Sequence, residues 1–141
     1  MTPEELFQRW FVTPVQTLQK LDNGDGAFVV LMSVLPLYER AIVARLKLDD
    51  KVPAVHTIKA EVERDLAIQP TVRAKFWAIF RNGCMHQGMG LDGKTKWRIS
   101  SSYGRSPTVL TKDGVDYVCI DPWKFAAHVL KMFKDTPALI T

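Results

Sequence analysis

The sequence predicts a mostly helical single domain, an up-and-down bundle carrying a small antiparallel β insertion before its last helix. Three observations lead there: helix starts marked by proline, long stretches with apolar residues at helical spacing, and one late segment whose periodicity drops to two. The 141 residues fit one domain over 1–141 and are enough to bury a core without disulfide staples.

Taking the elements in order, Thr2-Pro3-Glu4-Glu5 and Thr13-Pro14-Val15-Gln16 both have the form of a capping box with proline at the first helical position. They predict a short first helix and a second running to Leu21. The Gly- and Asp-rich stretch 22–26 ends it. This stretch is not a calcium loop, because Gly24 and Ser33 occupy the third and twelfth ligand positions. Over 27–46, Phe28, Leu31, Leu35, Ile42 and Leu46 fall near one helical face, widened by Met32 and Val43. Pro36 should kink that helix, and Glu39 and Arg40 begin a wetter face in its second half. A third long helix is expected over 54–67. A fourth opens at Pro70-Thr71 and runs to about His86, with Val72, Phe76, Ile79 and Phe80 as its apolar stripe.

The pattern then changes. Gly88, Gly90 and Gly93 break helix, and Trp97, Ile99 and Tyr103 alternate with Lys96, Arg98 and Ser100, as in a half-buried strand. Asp113-Gly114 between 108–112 and 115–120 signals a hairpin. The β insertion therefore covers about 94–120. Asp121-Pro122 caps a last helix whose inner face is Phe125, Ala126, Val129, Leu130 and Phe133.

Composition narrows the class. Apolar residues make up 47% and charged residues 24%, with a net charge of +4, as in an ordinary globular protein. Two cysteines, Cys84 and Cys119, are too few for a disulfide framework, so both are read as reduced thiols and a cytoplasmic location is expected. The most apolar run, 27–37, holds eleven residues including Pro36. A bilayer span needs about 20, so this run is read as a core helix, with no membrane anchor. Between Gly93 and Lys112 stand five basic residues, Lys94, Lys96, Arg98, Arg105 and Lys112, and no acidic one. Such a stretch is either a solvated face or a surface for a polyanion. Trp97 and Tyr103, interleaved with those cations, would suit stacking on single-stranded RNA, or would pack the insertion onto the bundle.

The densest candidate for chemistry is the stretch 80–88, Phe-Arg-Asn-Gly-Cys-Met-His-Gln-Gly. Asn82 and His86, four apart, share a helical face, and Arg81 stands about 140° from His86 on an ideal helix. A long Arg side chain spans part of that angle. The bland reading is that Arg81 and His86 cap a helix end and complement its dipole. Other signals fall away. Gly88-x-Gly90-x-x-Gly93 follows a helix where a dinucleotide site would follow a strand. Cys84 and His86 make two metal ligands without a second pair. His56 and His128 have no partner that the sequence identifies. No metal and no cofactor are expected.

Arg81, the polar Asn82, and His86 after four intervening residues resemble the motif of the HEPN superfamily, and the helical context over 27–86 resembles it too. The resemblance implies a metal-independent endoribonuclease that acts as a homodimer, with two motifs facing one cleft and a toxin-like or defence role. The chemistry suits the residue types. Cleavage through the 2′-OH needs a base, an acid and a cation at the phosphorane; histidine titrates near neutrality, and arginine matches phosphate oxygens with a fork of donors. Asn82 would orient His86 or the phosphate, and Glu39 is a candidate support from the preceding long helix. RNA contacts are expected at Lys94, Lys96, Trp97, Arg98, Tyr103 and Arg105, and an antitoxin-like protein partner is compatible with the class. The alternative is a non-catalytic dimeric scaffold of the same type, binding nucleic acid, a nucleotide or a protein partner.

Overall fold

The computed structural model describes residues 1–21, 24–47, 51–80 and 94–140. The chain is mostly helical, with a three-stranded sheet before the last helix. The helices are α1 (Pro3–Phe7), α2 (Thr13–Lys20), α3 (Gly24–Leu46), α4 (Val55–Leu66), α5 (Pro70–Trp77) and α6 (Pro122–Asp135). The strands are β1 (Thr95–Ile99), β2 (Thr108–Lys112) and β3 (Val115–Ile120). A 3-10 turn, Pro137–Ile140, ends the described chain.

At the N-terminus the Thr2 capping box forms as expected: Thr2 accepts from the Glu5 N–H and Glu5 accepts from the Thr2 N–H. The expected second box does not. Thr13 has helical backbone angles, and α1 runs into α2 through a π-helical segment, Gln8–Val12. Its wider turn accommodates Pro14, whose ring would crowd the carbonyl four residues back in an α-helix.

The core is built on α3, which begins three residues before the expected Ala27 and continues through Pro36 as one helix. Val30, Leu31, Val34, Leu35, Tyr38, Ala41 and Ile42 are all at 1% exposure or less, a stripe broad enough for α6 on one side and α4 on another. Among the described residues, α3 is the one helix long and apolar enough to cross a bilayer; here it is the central core helix. From α6, Phe125, Ala126, Val129, Met132 and Phe133 fill the facing surface, with Met132 buried where Leu130 was expected and Leu130 half-buried. Each such buried Val, Leu, Ile, Phe or Met side chain contributes about 2 kcal/mol by removal from water. Helix α5 adds Phe76 and passes into a π-helical turn over 78–80 that buries Ile79 and Phe80. The expected continuation to His86 lies outside the described residues.

The sheet has the order β1-β3-β2. Strands β2 and β3 form the expected hairpin, with Asp113 and Gly114 at φ 52° and 75°, the left-handed pair of a type I′ turn. Strand β1, however, pairs with β3 in parallel, Trp97 opposite Val118, so the insertion is mixed and not purely antiparallel. The reason is burial. Val118, Cys119 and Ile120 are the most apolar stretch of the insertion and are all buried, so β3 takes the central place. The loop 100–107 then arches over its end, where Ser100 N–H donates to the Ile120 carbonyl and Asp121 N–H to the Gly104 carbonyl. Asp121 also caps α6 by accepting from the Trp123 N–H at 3.0 Å.

Helix α4 ends in a Schellman arrangement, with Ile68 N–H donating to the Glu63 carbonyl and Ala67 at φ 52°. An L-residue in that conformation costs about 1 kcal/mol relative to glycine, and the Ala67 methyl is exposed. Ala67→Gly is therefore expected to stabilise the protein by about 1 kcal/mol in urea denaturation; a loss of stability would contradict the left-handed cap.

Candidate functional site

Arg81, Asn82 and His86 lie outside the described residues. The chain leading to Arg81 does not: Ile79 and Phe80 are fully buried, and Phe76, a turn earlier, stacks on Phe80 at 5.8 Å between ring centroids. Arg81 thus follows directly on a segment fixed in the core. Glu39 is half-buried on α3, next to the core residue Tyr38.

The expected RNA contacts divide among three settings. Lys96 and Arg98 are exposed on β1, and Lys94 is exposed just before it. Trp97 points the other way. Its ring packs edge-on against Phe76 at 6.1 Å, on the helix side of the sheet, so of the two roles open to it Trp97 takes the packing one. Tyr103 belongs to the turn after β1, with its N–H donating to the Ser100 carbonyl, and its hydroxyl meets the Cys119 thiol. That hydrogen bond, with burial second, pushes the Tyr103 pKa up. Arg105 reaches α6, where its Nη1 stands 3.4 Å from His128 Nδ1.

The described residues that converge most closely are ones the sequence did not single out. Asp65 on α4, with its side chain at 7% exposure, accepts from Tyr38 Oη of α3 at 2.8 Å and from His128 Nε2 of α6 at 2.9 Å, both at Oδ2. Its Oδ1 accepts from Arg45 Nη1 at 3.0 Å. Arg45 also donates to Glu61 at 3.1 Å, and Glu61 accepts from Arg64 at 2.5 and 2.9 Å. Burial opposes ionisation of Asp65, but the hydrogen bonds from His128, Tyr38 and Arg45 outweigh it and hold its carboxyl well below the usual carboxylate range. For Tyr38, burial first and then the Asp65 charge push the phenol far above its ordinary value. The Arg64 hydrogen bond lowers Glu61, against burial and with help from Arg45.

Chemically this network is a clamp. An ionised carboxylate accepts only, so Nε2 carries the proton it receives, and Arg105, a donor only, leaves Nδ1 as acceptor. Both ring nitrogens of His128 are engaged and its side chain is at 12% exposure, which leaves no free nitrogen for proton transfer to a substrate. The signal that could have found the clamp is positional. Tyr38 and His128 each stand three and four residues from buried apolar neighbours on the core stripes of their helices, Leu35 and Ile42 for the first and Phe125 and Met132 for the second, and Asp65 stands three residues from the buried Val62.

The strands hold a second grouping. The register puts Thr95, Trp97, Ile99, Asp116, Val118 and Ile120 on the helix side. Lys75 of α5 pairs there with Asp116 at 2.9 Å, so the sheet and α5 pack as one unit. The Thr111 hydrogen bond, and then Lys75, lower the Asp116 pKa.

No family model, no curated protein and no solved structure matches the chain.

Since the folded pKa of Asp65 is depressed, its contribution is complete above its unfolded value, near pH 4, and is lost as pH falls below that through the folded value. Asp65→Ala is expected to cost about 3 kcal/mol at pH 7 by stranding buried partners. The stability gap between wild type and Asp65→Asn should narrow below about pH 4; a gap independent of pH would show that the carboxylate is not the linked group.

Proposed function

We propose that this chain is a HEPN-type endoribonuclease, a homodimer that cleaves RNA without a metal by transesterification through the 2′-OH. The observation that carries the reading is the sequence Arg81-Asn82-x3-His86 beginning directly after Phe80, the core-anchored end of the π-helical turn that continues α5, in a mostly helical fold. The HEPN-like bundle itself is part of this proposal. Two further facts support it. The described His–Asp pair is saturated by its partners, which removes His128 from the acid–base candidates. And the helix leading to the motif packs against the strands that carry Lys96 and Arg98, through Lys75–Asp116 and Phe76–Trp97.

In this mechanism one His86 takes the 2′-OH proton and the partner subunit's His86 gives a proton to the leaving 5′-oxygen. Arg81 neutralises the phosphorane, and Asn82 orients the imidazole or the phosphate. Proton transfer by a positioned side chain contributes roughly 10²–10⁴-fold.

Incubating the purified dimer with mixed RNA in EDTA should yield 2′,3′-cyclic phosphate ends. His86→Ala, folded and dimeric, should lose at least about 100-fold in rate. Cleavage that persists in that variant, or that requires magnesium, sinks the proposal; a folded wild-type dimer that binds RNA and leaves it intact supports the scaffold reading instead.

A further inference from the structure

The register that sends Trp97 and Val118 inward sends Lys96 and Arg98 of β1, Tyr117 and Cys119 of β3, and Leu110 and Lys112 of β2 outward. Lys96, Tyr117 and Leu110 form one row across the three strands. Arg98 and Cys119 lie in the next row, where Tyr103 covers the thiol. Lys96, Arg98 and Lys112 are exposed and make no ion pair among the described residues, and no acidic side chain of the three strands shares their face. The carboxylate nearest in register, Asp116, points to the helix side and is held by Lys75 and Thr111. Leu110 is 42% exposed and Tyr117 half-exposed, so apolar and aromatic surface lies between the cations.

We infer that this outer sheet face, with Lys96, Arg98 and Lys112 around Tyr117 and Tyr103, is a binding platform for single-stranded RNA; that the nucleic acid is RNA rests on the ribonuclease reading. Positive charge without neutralising carboxylates selects a polyanion. The accessible tyrosines add what a phosphate backbone alone does not need, flat surfaces on which unpaired bases stack whatever their identity. Lys96 and Arg98 stand about 7 Å apart along one strand, so they meet successive backbone phosphates while a base lies over Tyr117 in the central strand. A duplex hides its bases from such a surface. The sheet packs on α5, and the strand following Trp77–Phe80 and the undescribed segment is β1 itself, so RNA held on this face lies on the element that the motif segment leads into.

The test is fluorescence anisotropy with a 2′-O-methyl oligoribonucleotide, which cannot be cleaved through its 2′ position, over a range of salt. Wild type should bind the single strand more tightly than a duplex of equal length. Lys96→Ala/Arg98→Ala should weaken binding about tenfold or more and reduce the salt slope by about 1.4, two contacts at about 0.7 each. Tyr117→Leu should weaken binding about tenfold with the slope unchanged. Circular dichroism verifies that each variant is folded. The charge-matched Lys20→Ala/Lys134→Ala, exposed on α2 and α6, should bind as wild type does. Equal binding by wild type and the sheet variants overturns the platform, as does an equal loss in the charge-matched control. A change of oligomeric state in the sheet variants, read by sedimentation velocity, would make the face a contact between copies and also overturns it. Metal-free cleavage with unaltered binding by the sheet variants removes the platform and leaves the nuclease; loss of binding in those variants without any cleavage by wild type does the reverse.

Discussion

The carboxylate of Asp65 is the constraint on which the arrangement of helices depends. Its side chain is buried and ionised and accepts from donors on two helices, Tyr38 and Arg45 of α3 and His128 of α6, while itself belonging to a third, α4. Apolar burial brings these helices together without specifying how far each slides or turns, because apolar contacts are non-directional. The hydrogen bonds are directional, and a buried carboxylate that loses a donor is expensive. One rotation and one translation of α3, α4 and α6 satisfy both oxygens at once. Arg105 and Ser106 extend the arrangement to the loop before β2, the first at His128 and the second by donating to the Leu66 carbonyl at 2.7 Å.

That fixed frame determines where the insertion sits. Strand β3 leads through Asp121 directly into α6, so its position follows from that helix, and β1 is held to it by five register pairs. Helix α5 is clasped from the sheet side by Asp116 and Trp97. The segment ending at Phe80, from which the Arg-Asn…His sequence follows, and the strands bearing Lys96, Arg98 and Lys112 then share one support. A site built on packed helices and strands holds its geometry better than one carried by loops alone.

Much of this was legible in the residues, and the exceptions have physical causes. Helix starts at Thr2-Pro3, Pro70 and Asp121-Pro122 are local signals, as is the Asp113-Gly114 turn, and each forms where its chemistry requires. The alternation in 96–99 correctly separates inward Trp97 and Ile99 from outward Lys96 and Arg98. The parallel partnership of β1 with β3 is not local; it follows from which strand is apolar enough to be central. Thr13-Pro14 misleads because a π-helical turn lets the helix pass through a proline that looks like a start. The Asp65 clamp joins residues 27 and 63 positions apart, and no spacing rule links them. For the candidate site, the motif at Arg81, Asn82 and His86 is legible as sequence alone, whereas Tyr117 and Lys112 join Lys96 and Arg98 only once the register is known.

The central claim is that one RNA is held on the sheet and cut by the motif segment. Photo-cross-linking tests it most directly, using a 2′-O-methyl oligoribonucleotide with 4-thiouridine along its length and mapping of the tryptic peptides. Two peptides decide the outcome: 113–124, which contains Tyr117, and 82–94, which contains His86. Cross-links in both, competed by unlabelled single strand, are the predicted result. Cross-links confined to α1, α2 or α6, with neither peptide modified, would contradict it.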